Sequence, residues 1–137
     1  MPCVFIGDSI AVGAGSVQHE CEVHAKVGAS SEFIVKNFVK FAKNSDEYTV
    51  ISMGSNGPTN PTNKQNALKL RRSIKASLVV WILPYNRQAA NTIREVANAF
   101  NDSYVDLSGF QSNDGLHPRS YKKLNNQIQE RIDYYFD

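Results

Sequence analysis

Three side chains far apart in the sequence have the types that serine-based nucleophilic catalysis requires. Ser9 follows a short apolar run that is typical of a buried strand, and a helical pattern begins directly after it. A serine in that position lies at a helix N-terminus, where free backbone N–H groups favour negative charge. His117 offers a base for the serine proton, and a short turn would bring the carboxylate of Asp114 to its imidazole. The three residues are therefore a candidate nucleophile, base and orienting acid.

Each of these residues also has an ordinary structural interpretation. Asp8 or Ser9, placed between a strand and a helix, can simply cap that helix. The segment from Asp114 to Pro118 can be a turn that precedes the last helix. Catalysis is favoured only because all three types are predicted at the same edge of one sheet.

Three hydrogen-bond donors are predicted close to Ser9. They are its own backbone N–H, the backbone N–H of Gly28 and the side-chain amide of Asn56, and each follows one of the first three predicted strands. Gly28 is expected there because a residue without a Cβ lets the backbone approach closely. The alternative is that Gly28 and Asn56 are ordinary turn residues.

The alternation of apolar runs and helical patterns predicts the fold that positions these residues. Strands are predicted over residues 2–6, 21–27, 48–53, 77–83 and 103–107. Helices are predicted from residue 10, over 30–42, 62–74, 86–100 and 118–136, with Pro118 in the first turn of the last one. Five strand–helix alternations predict an α/β fold, a three-layer α/β/α sandwich with a five-stranded parallel sheet. Residues 1–137 are expected to form a single domain.

The amino-acid composition argues against nucleic acid and membranes as binding partners. Fifteen basic and thirteen acidic residues leave a net charge of +2, which is too balanced to favour nucleic acid or an anionic membrane. No apolar run approaches the length of a membrane span, and the N-terminus lacks the features of a signal peptide. We therefore expect a cytoplasmic protein without a nucleic-acid or membrane partner, with release by another route left open. The oligomeric state is also left open.

The two cysteines are too few for a disulfide framework. Cys3 and Cys21 lie near the starts of neighbouring predicted strands, so buried, reduced thiols are expected. His19, Cys21 and His24 form a weak candidate for a metal site. Strand alternation places Cys21 and His24 on opposite faces, and no fourth ligand stands nearby, so no metal site is predicted.

Four short blocks of the sequence resemble, in the same order, those of the SGNH (GDSL) hydrolase family: Gly7-Asp8-Ser9, Gly28, Gly54-x-Asn56 and Asp114-x-x-His117. The resemblance covers nearly the whole chain. It implies a flavodoxin-like sheet and an esterase or acyl-hydrolase activity that needs no metal or organic cofactor. The sequence departs from the family at Gly57, where Asp often follows the asparagine, so a supporting hydrogen bond is expected to be missing.

The resemblance also assigns a role to each matched residue. It makes Ser9 the nucleophile, His117 the base and Asp114 the partner that orients the base. The N–H groups of Ser9 and Gly28 and the amide of Asn56 become the oxyanion hole.

The short chain predicts minimal loops and therefore an open, shallow site. Such a site suits a small-molecule or polysaccharide ester, above all an acetyl group on carbohydrate or a cell-wall polymer. A lysophospholipase or thioesterase is one alternative, and a non-catalytic carbohydrate-binding or structural module of the same fold is another. A phosphate-binding loop at Gly13 and Gly15 is disfavoured because the remaining motif residues are missing.

The pocket wall is expected to include Tyr85 and Asn86, which follow the fourth strand, beside the loop over residues 58–63. In this interpretation Tyr85 offers a flat face to a sugar ring or an acyl chain. The alternative is that Tyr85 packs over the end of the sheet and Asn86 caps the next helix.

Overall fold

Five parallel strands form the middle layer of the computed structural model, which describes residues 3–17 and 20–137. The strands are β1 (Cys3–Gly7), β2 (Glu22–Ala25), β3 (Tyr48–Ser52), β4 (Leu78–Leu83) and β5 (Ser103–Asp106). The helices are α1 (Ser9–Gly15), α2 (Ser31–Phe38), α3 (Asn63–Arg72), α4 (Arg87–Ala99) and α5 (Tyr121–Phe136). Short 3-10 turns follow α2 and β5, at Val39–Phe41 and Leu107–Gly109.

The strand order across the sheet is β2-β1-β3-β4-β5, and every neighbouring pair is parallel. At the carboxyl end of β1, Gly7 is in register with Ala25 of β2 and Ser52 of β3. The segments that follow these strands therefore emerge side by side at one edge. The predicted α/β sandwich with a five-stranded parallel sheet is confirmed.

Two apolar clusters hold the three layers together. Alternate residues of a strand point to opposite faces, so Val4 and Ile6 contribute to one cluster and Phe5 to the other. The first cluster contains residues of α2, α3 and α4, and the second contains residues of α1 and α5. The interior strand β4, between β3 and β5, is buried along its whole length, as expected for a parallel strand that is covered on both faces.

Side-chain caps mark the starts of α2 and α5, which lie on opposite sides of the sheet. Ser30 accepts a hydrogen bond from Phe33 N at the start of α2, and Ser120 accepts one from Lys123 N at the start of α5. The prediction that the last helix begins at Pro118 is wrong. Pro118 is buried in the preceding loop, and the cap at Ser120 starts the helix at Tyr121. None of the helices in the described ranges is long and apolar enough to cross a lipid bilayer.

Cys3 and Cys21 form a disulfide, so the expectation of reduced thiols is wrong. The register that pairs Val4 with Glu22 brings the two preceding residues opposite each other, with their Cα atoms 4.8 Å apart. That separation lies within the range that a disulfide can bridge. Placement at the starts of neighbouring strands is therefore what makes the bond possible.

Candidate active site

Ser9, His117 and Asp114 form a continuous row of hydrogen bonds, although 108 positions separate Ser9 from His117. The Oγ atom of Ser9 lies 2.8 Å from Nε2 of His117. The Nδ1 atom of the same ring lies 2.7 Å from Oδ2 of Asp114. With the ring proton on Nδ1, the imidazole donates to Asp114 and accepts from Ser9. This is the arrangement in which a base can take up a serine proton.

The loop over residues 111–119 holds Asp114 and His117 in this orientation. Oδ1 of Asp114 accepts hydrogen bonds from Leu116 N at 2.9 Å and from His117 N at 2.8 Å. The bond with the His117 ring, followed by these two backbone bonds, holds the pKa of Asp114 well below its usual range. Ser112 lies inside the loop, where its hydroxyl accepts from Gly115 N and donates to the carbonyl of His117. The turn therefore favours a charged carboxylate beside the ring.

The turn between β1 and α1 leaves the hydroxyl of Ser9 free for His117. Asp8, and not Ser9, caps the helix, since its Oδ1 accepts from Ile10 N at 3.0 Å. The same oxygen accepts from the hydroxyl of Ser52 at 2.8 Å. As the first residue of α1, Ser9 has a backbone N–H without a partner inside the helix.

Asp8 is an acidic residue to which the sequence-based mechanism assigns no role. Its side chain is fully buried, and Oδ2 has no hydrogen-bond partner in the described part of the chain. Burial raises the pKa of this carboxyl to about 6, against the opposing effects of its hydrogen bonds and of nearby His117. The only signal of this burial in the sequence is the position of Asp8 at the end of a buried strand.

The three predicted oxyanion donors come from adjacent segments at the carboxyl edge of the sheet. Nδ2 of Asn56 donates to the carbonyl of Ala29 at 3.0 Å, which holds the segment after β3 against the segment after β2. The second amide hydrogen of Asn56 is left for another acceptor. Gly28 has a φ of +81°, a value that favours glycine, whereas the space where its Cβ would lie is open. Backbone conformation is therefore one reason for the glycine, and the close approach of its N–H to a bound substrate stays a prediction.

Gly57, where the sequence departs from the family pattern, starts a tight turn. Its φ is +72°, and its carbonyl accepts from Asn60 N and from Nδ2 of Asn63. Asn63 is in turn 2.6 Å from the hydroxyl of Ser31 in α2. The segment over residues 57–63 is thus tied to the helix that follows Gly28.

Tyr85 and Asn86, the predicted pocket-wall residues, both have partners within the protein. The hydroxyl of Tyr85 donates to the carbonyl of Phe110 at 3.1 Å, and its ring packs against the cluster under α1 and α5. Oδ1 of Asn86 accepts from Ala89 N and caps α4. These contacts fit the structural alternative for both residues, and contact with substrate stays a prediction.

Tyr121, which the sequence interpretation missed, packs directly on α1 one turn after Ser9. A Cβ on Gly13 would lie 2.2 Å from Cζ of Tyr121, so only glycine leaves room for this ring. Gly15 in the same helix faces Val23 of β2. The two glycines therefore serve helix packing, and a glycine inside a helical pattern was the signal for it.

Two residues of the weak candidate metal site, Cys21 and His24, make other contacts. Cys21 is in the disulfide, and His24 lies 2.8 Å from Glu22 and stacks on the ring of Phe41. His19 lies outside the described residues. Residues 3–17 and 20–137 contain no group of three or more His, Cys, Asp or Glu side chains arranged to hold a metal ion.

Comparison with known proteins finds a similar fold among solved structures but no match by sequence. No family model matches the sequence, and no curated protein matches it significantly. Among solved structures, the chain is similar to the C-terminal catalytic domain of Streptococcus pneumoniae peptidoglycan O-acetyltransferase A (OatA), solved with a methylsulfonyl adduct. The TM-score is 0.56 at 15% identity, and the match covers 96% of this chain and 88% of that chain. The chain has an SGNH-like fold. This agrees with the fold that the four sequence blocks imply, and at such low identity the likeness concerns the fold alone.

Proposed function

We propose that this protein is a serine esterase or acyltransferase that acts on small acyl esters through Ser9, His117 and Asp114. The observation that carries the proposal is the row of bonds from Ser9 Oγ to His117, at 2.8 Å, and on to Asp114, at 2.7 Å. This row lies at the start of α1, where the backbone favours negative charge. A non-catalytic module of the same fold would have no need to align these three groups.

In the proposed reaction, Oγ of Ser9 attacks the carbonyl carbon of the ester while Nε2 of His117 takes the hydroxyl proton. The negatively charged Asp114 stabilises the imidazolium that forms. The carbonyl oxygen, now an oxyanion, accepts hydrogen bonds from the N–H groups of Ser9 and Gly28 and from the amide of Asn56. His117 then returns the proton to the leaving alcohol, and the C–O bond to that alcohol breaks.

The acyl group is then bound to Ser9 as an ester. Water or a second alcohol attacks it, with His117 again accepting the incoming proton. His117 then returns this proton to Oγ of Ser9 as the bond between Oγ and the acyl carbon breaks. Attack by water releases a carboxylic acid, and attack by an alcohol releases a new ester. The chemistry needs no group beyond the chain and its two substrates.

A small acyl group on a large carbohydrate is the substrate class we propose. The site is open, since 35% of the His117 side chain and 53% of the Asp114 side chain remain exposed. An open edge admits a substituent of a polymer more readily than it encloses a long acyl chain. The similar domain belongs to a protein named for O-acetyl transfer on peptidoglycan, which supports an acetyl ester of a cell-wall polymer. Lysophospholipase or thioesterase activity is the alternative chemistry for the same three residues.

The compartment remains a prediction, and the disulfide counts against the cytoplasmic expectation. Disulfides persist in oxidising compartments and are rare in the cytosol. We therefore propose that the protein works where the bond between Cys3 and Cys21 stays oxidised. Thiol labelling of protein isolated without reductant tests this, because two free thiols would contradict it.

Active-site labelling tests the proposed function whatever the natural substrate is. A sulfonyl fluoride should form one covalent adduct per chain, and peptide mapping by mass spectrometry should place it on Ser9. His117→Ala should slow the labelling strongly, because the base that activates the hydroxyl is gone. Labelling of several serines at equal rates would contradict a special reactivity at Ser9. A panel of p-nitrophenyl esters of rising chain length, run beside acetylated sugars, then separates acetyl esterase from lipase-type or thioesterase-type specificity.

A further inference from the structure

A groove of about 430 Å³ lies beside the loop that carries Asp114 and His117. It runs between the segment after β5 and the first two turns of α5. Its size is within the range of small-molecule sites in proteins. The residues that matter for its chemistry are Phe110, Gln111, Arg119, Lys123, Asn126 and Gln127.

Two cations in this groove have no counterion within the described part of the chain. Arg119 donates to the side-chain oxygen of Gln111 at 3.0 Å but forms no ion pair. The ammonium group of Lys123 has neither an ion pair nor a hydrogen bond with a described residue. No carboxylate lines the groove. A ligand with negative charge would therefore be attracted here, and a guanidinium matches the geometry of a carboxylate.

The remaining walls suit the hydroxyl groups and ring faces of a sugar. The amides of Asn126 and Gln127 are exposed and make no hydrogen bond with other described residues. Each amide can both donate to and accept from a hydroxyl group. The half-buried ring of Phe110 adds an apolar surface against which the C–H face of a sugar ring can pack.

The groove is also joined to the catalytic loop by hydrogen bonds. Arg119 N donates to the carbonyl of Gln111 at 2.8 Å, and this bond closes the loop over residues 111–119 at its base. The carbonyl of Phe110 accepts from Tyr85. A ligand in the groove would therefore contact the two residues that close the loop holding Asp114 and His117.

We infer that the groove is a binding subsite for an acidic sugar in a polysaccharide, with Arg119 and Lys123 binding its carboxylate groups. In this arrangement, one part of the polymer occupies the groove while an esterified sugar of the same polymer reaches Ser9. The catalytic part of this inference rests on the proposed function, whereas binding of the polymer does not. Acidic polysaccharide is favoured over nucleic acid because two cations and a net charge of +2 offer little for a dense row of phosphates.

A matched pair of lysines allows a direct binding test. Lys123→Gln removes a charge inside the groove, and Lys122→Gln removes the same charge from the neighbouring position, which lies outside the groove. Calorimetric titration with polygalacturonate, a non-esterified acidic polysaccharide, should show binding by the unaltered protein. Lys123→Gln should weaken it about tenfold, the loss typical of one charge-assisted hydrogen bond, and Lys122→Gln should have little effect.

Three outcomes would overturn the inference. One is the absence of polygalacturonate binding by the unaltered protein. Another is an equal loss in both variants, which would mean a diffuse electrostatic effect. The third is tighter binding of single-stranded DNA than of polygalacturonate, which would assign the groove to nucleic acid. A circular dichroism spectrum of each variant excludes a folding defect as the cause of any loss.

Steady-state kinetics on two substrates test this inference separately from the proposed function. On an acetylated acidic polysaccharide, Lys123→Gln should raise KM about tenfold, while its kcat/KM on p-nitrophenyl acetate should stay unchanged. If the polymer binds in a Lys123-dependent manner but no ester is hydrolysed, the groove is a binding subsite and the esterase proposal is contradicted. If both substrates are hydrolysed and Lys123→Gln has no effect on either, the esterase proposal is supported and the proposed role of the groove is contradicted.

Discussion

Asp8 and Ser52 are joined by two hydrogen bonds across the carboxyl ends of β1 and β3. Asp8 N donates to the carbonyl of Ser52 at 3.2 Å, and the hydroxyl of Ser52 donates to Oδ1 of Asp8 at 2.8 Å. The same carboxylate oxygen also caps α1. Asp8 therefore links β3 to the start of α1, and these contacts fix the position of Ser9, the next residue. The capping interpretation of this turn is therefore correct for Asp8, and this leaves the hydroxyl of Ser9 available to His117.

The raised pKa of Asp8, about 6, predicts that stability falls as the pH rises from about 4 to 6. In this window the folded state holds the proton and the unfolded state has released it, so each rise in pH favours unfolding. The accumulated cost at neutral pH is about 3 kcal/mol if Asp8 alone is responsible. Ser52, His117 and Tyr121 are the polar or titratable groups that interact with this carboxyl.

Asp8→Asn should flatten this pH dependence, because an amide does not ionise. Its carbonyl oxygen can still accept from Ile10 N and from Ser52. Urea unfolding at several pH values between 4.5 and 7.5 measures the slope of the unfolding free energy in both proteins. The exposed Asp46→Asn should keep the slope of the unaltered protein. An identical slope in Asp8→Asn would show that another group titrates in this range.

Asn56→Ala should lower kcat about 10²-fold, the usual scale for one oxyanion donor. The loss should appear in kcat because the amide is proposed to act on the charge that develops in the transition state. Asn60→Ala, in the same segment, is the control, since its side chain bonds only Thr62. A loss confined to KM in Asn56→Ala would instead mean that this amide binds the substrate in its ground state.

Asp102 should be far more important for stability than the exposed ion pair between Lys64 and Glu95. It accepts two hydrogen bonds from Arg71, at 2.7 and 2.9 Å, and one from the indole of Trp81 at 2.9 Å. Only 4% of its side chain is exposed, so Asp102→Ala leaves a largely buried guanidinium without its carboxylate counterion. We expect the free energy of unfolding to fall by about 3–5 kcal/mol.

The matched change, Glu95→Ala, should cost less than about 1 kcal/mol because its ion pair is solvent-exposed. Denaturant titrations of both variants give the comparison. Similar losses in the two variants would contradict the importance assigned to the Asp102 cluster.

The features best predicted from the sequence are the positions of residues that follow the strands. Ser9 and His117 meet because each follows a strand of a parallel sheet, and the order of apolar runs sets that topology. The disulfide was mispredicted because its formation depends on the register between β1 and β2, which local patterns do not specify. Likewise, the position of Asp8 at the end of a buried strand is the only local signal of its burial, and its contact with Ser52 of β3 depends on strand order, which no pattern near residue 8 specifies.

The most direct test of the proposed mechanism is the rate of ester hydrolysis by Ser9→Ala. Ser16→Ala is the matched control, since Ser16 lies at the other end of α1 and its hydroxyl bonds only the carbonyl of Gly13. On p-nitrophenyl acetate, Ser9→Ala should lower kcat by about 10³-fold or more while Ser16→Ala retains normal turnover, with both variants folded by circular dichroism. Unchanged turnover in pure, sequence-verified Ser9→Ala would contradict the assignment of Ser9 as the nucleophile.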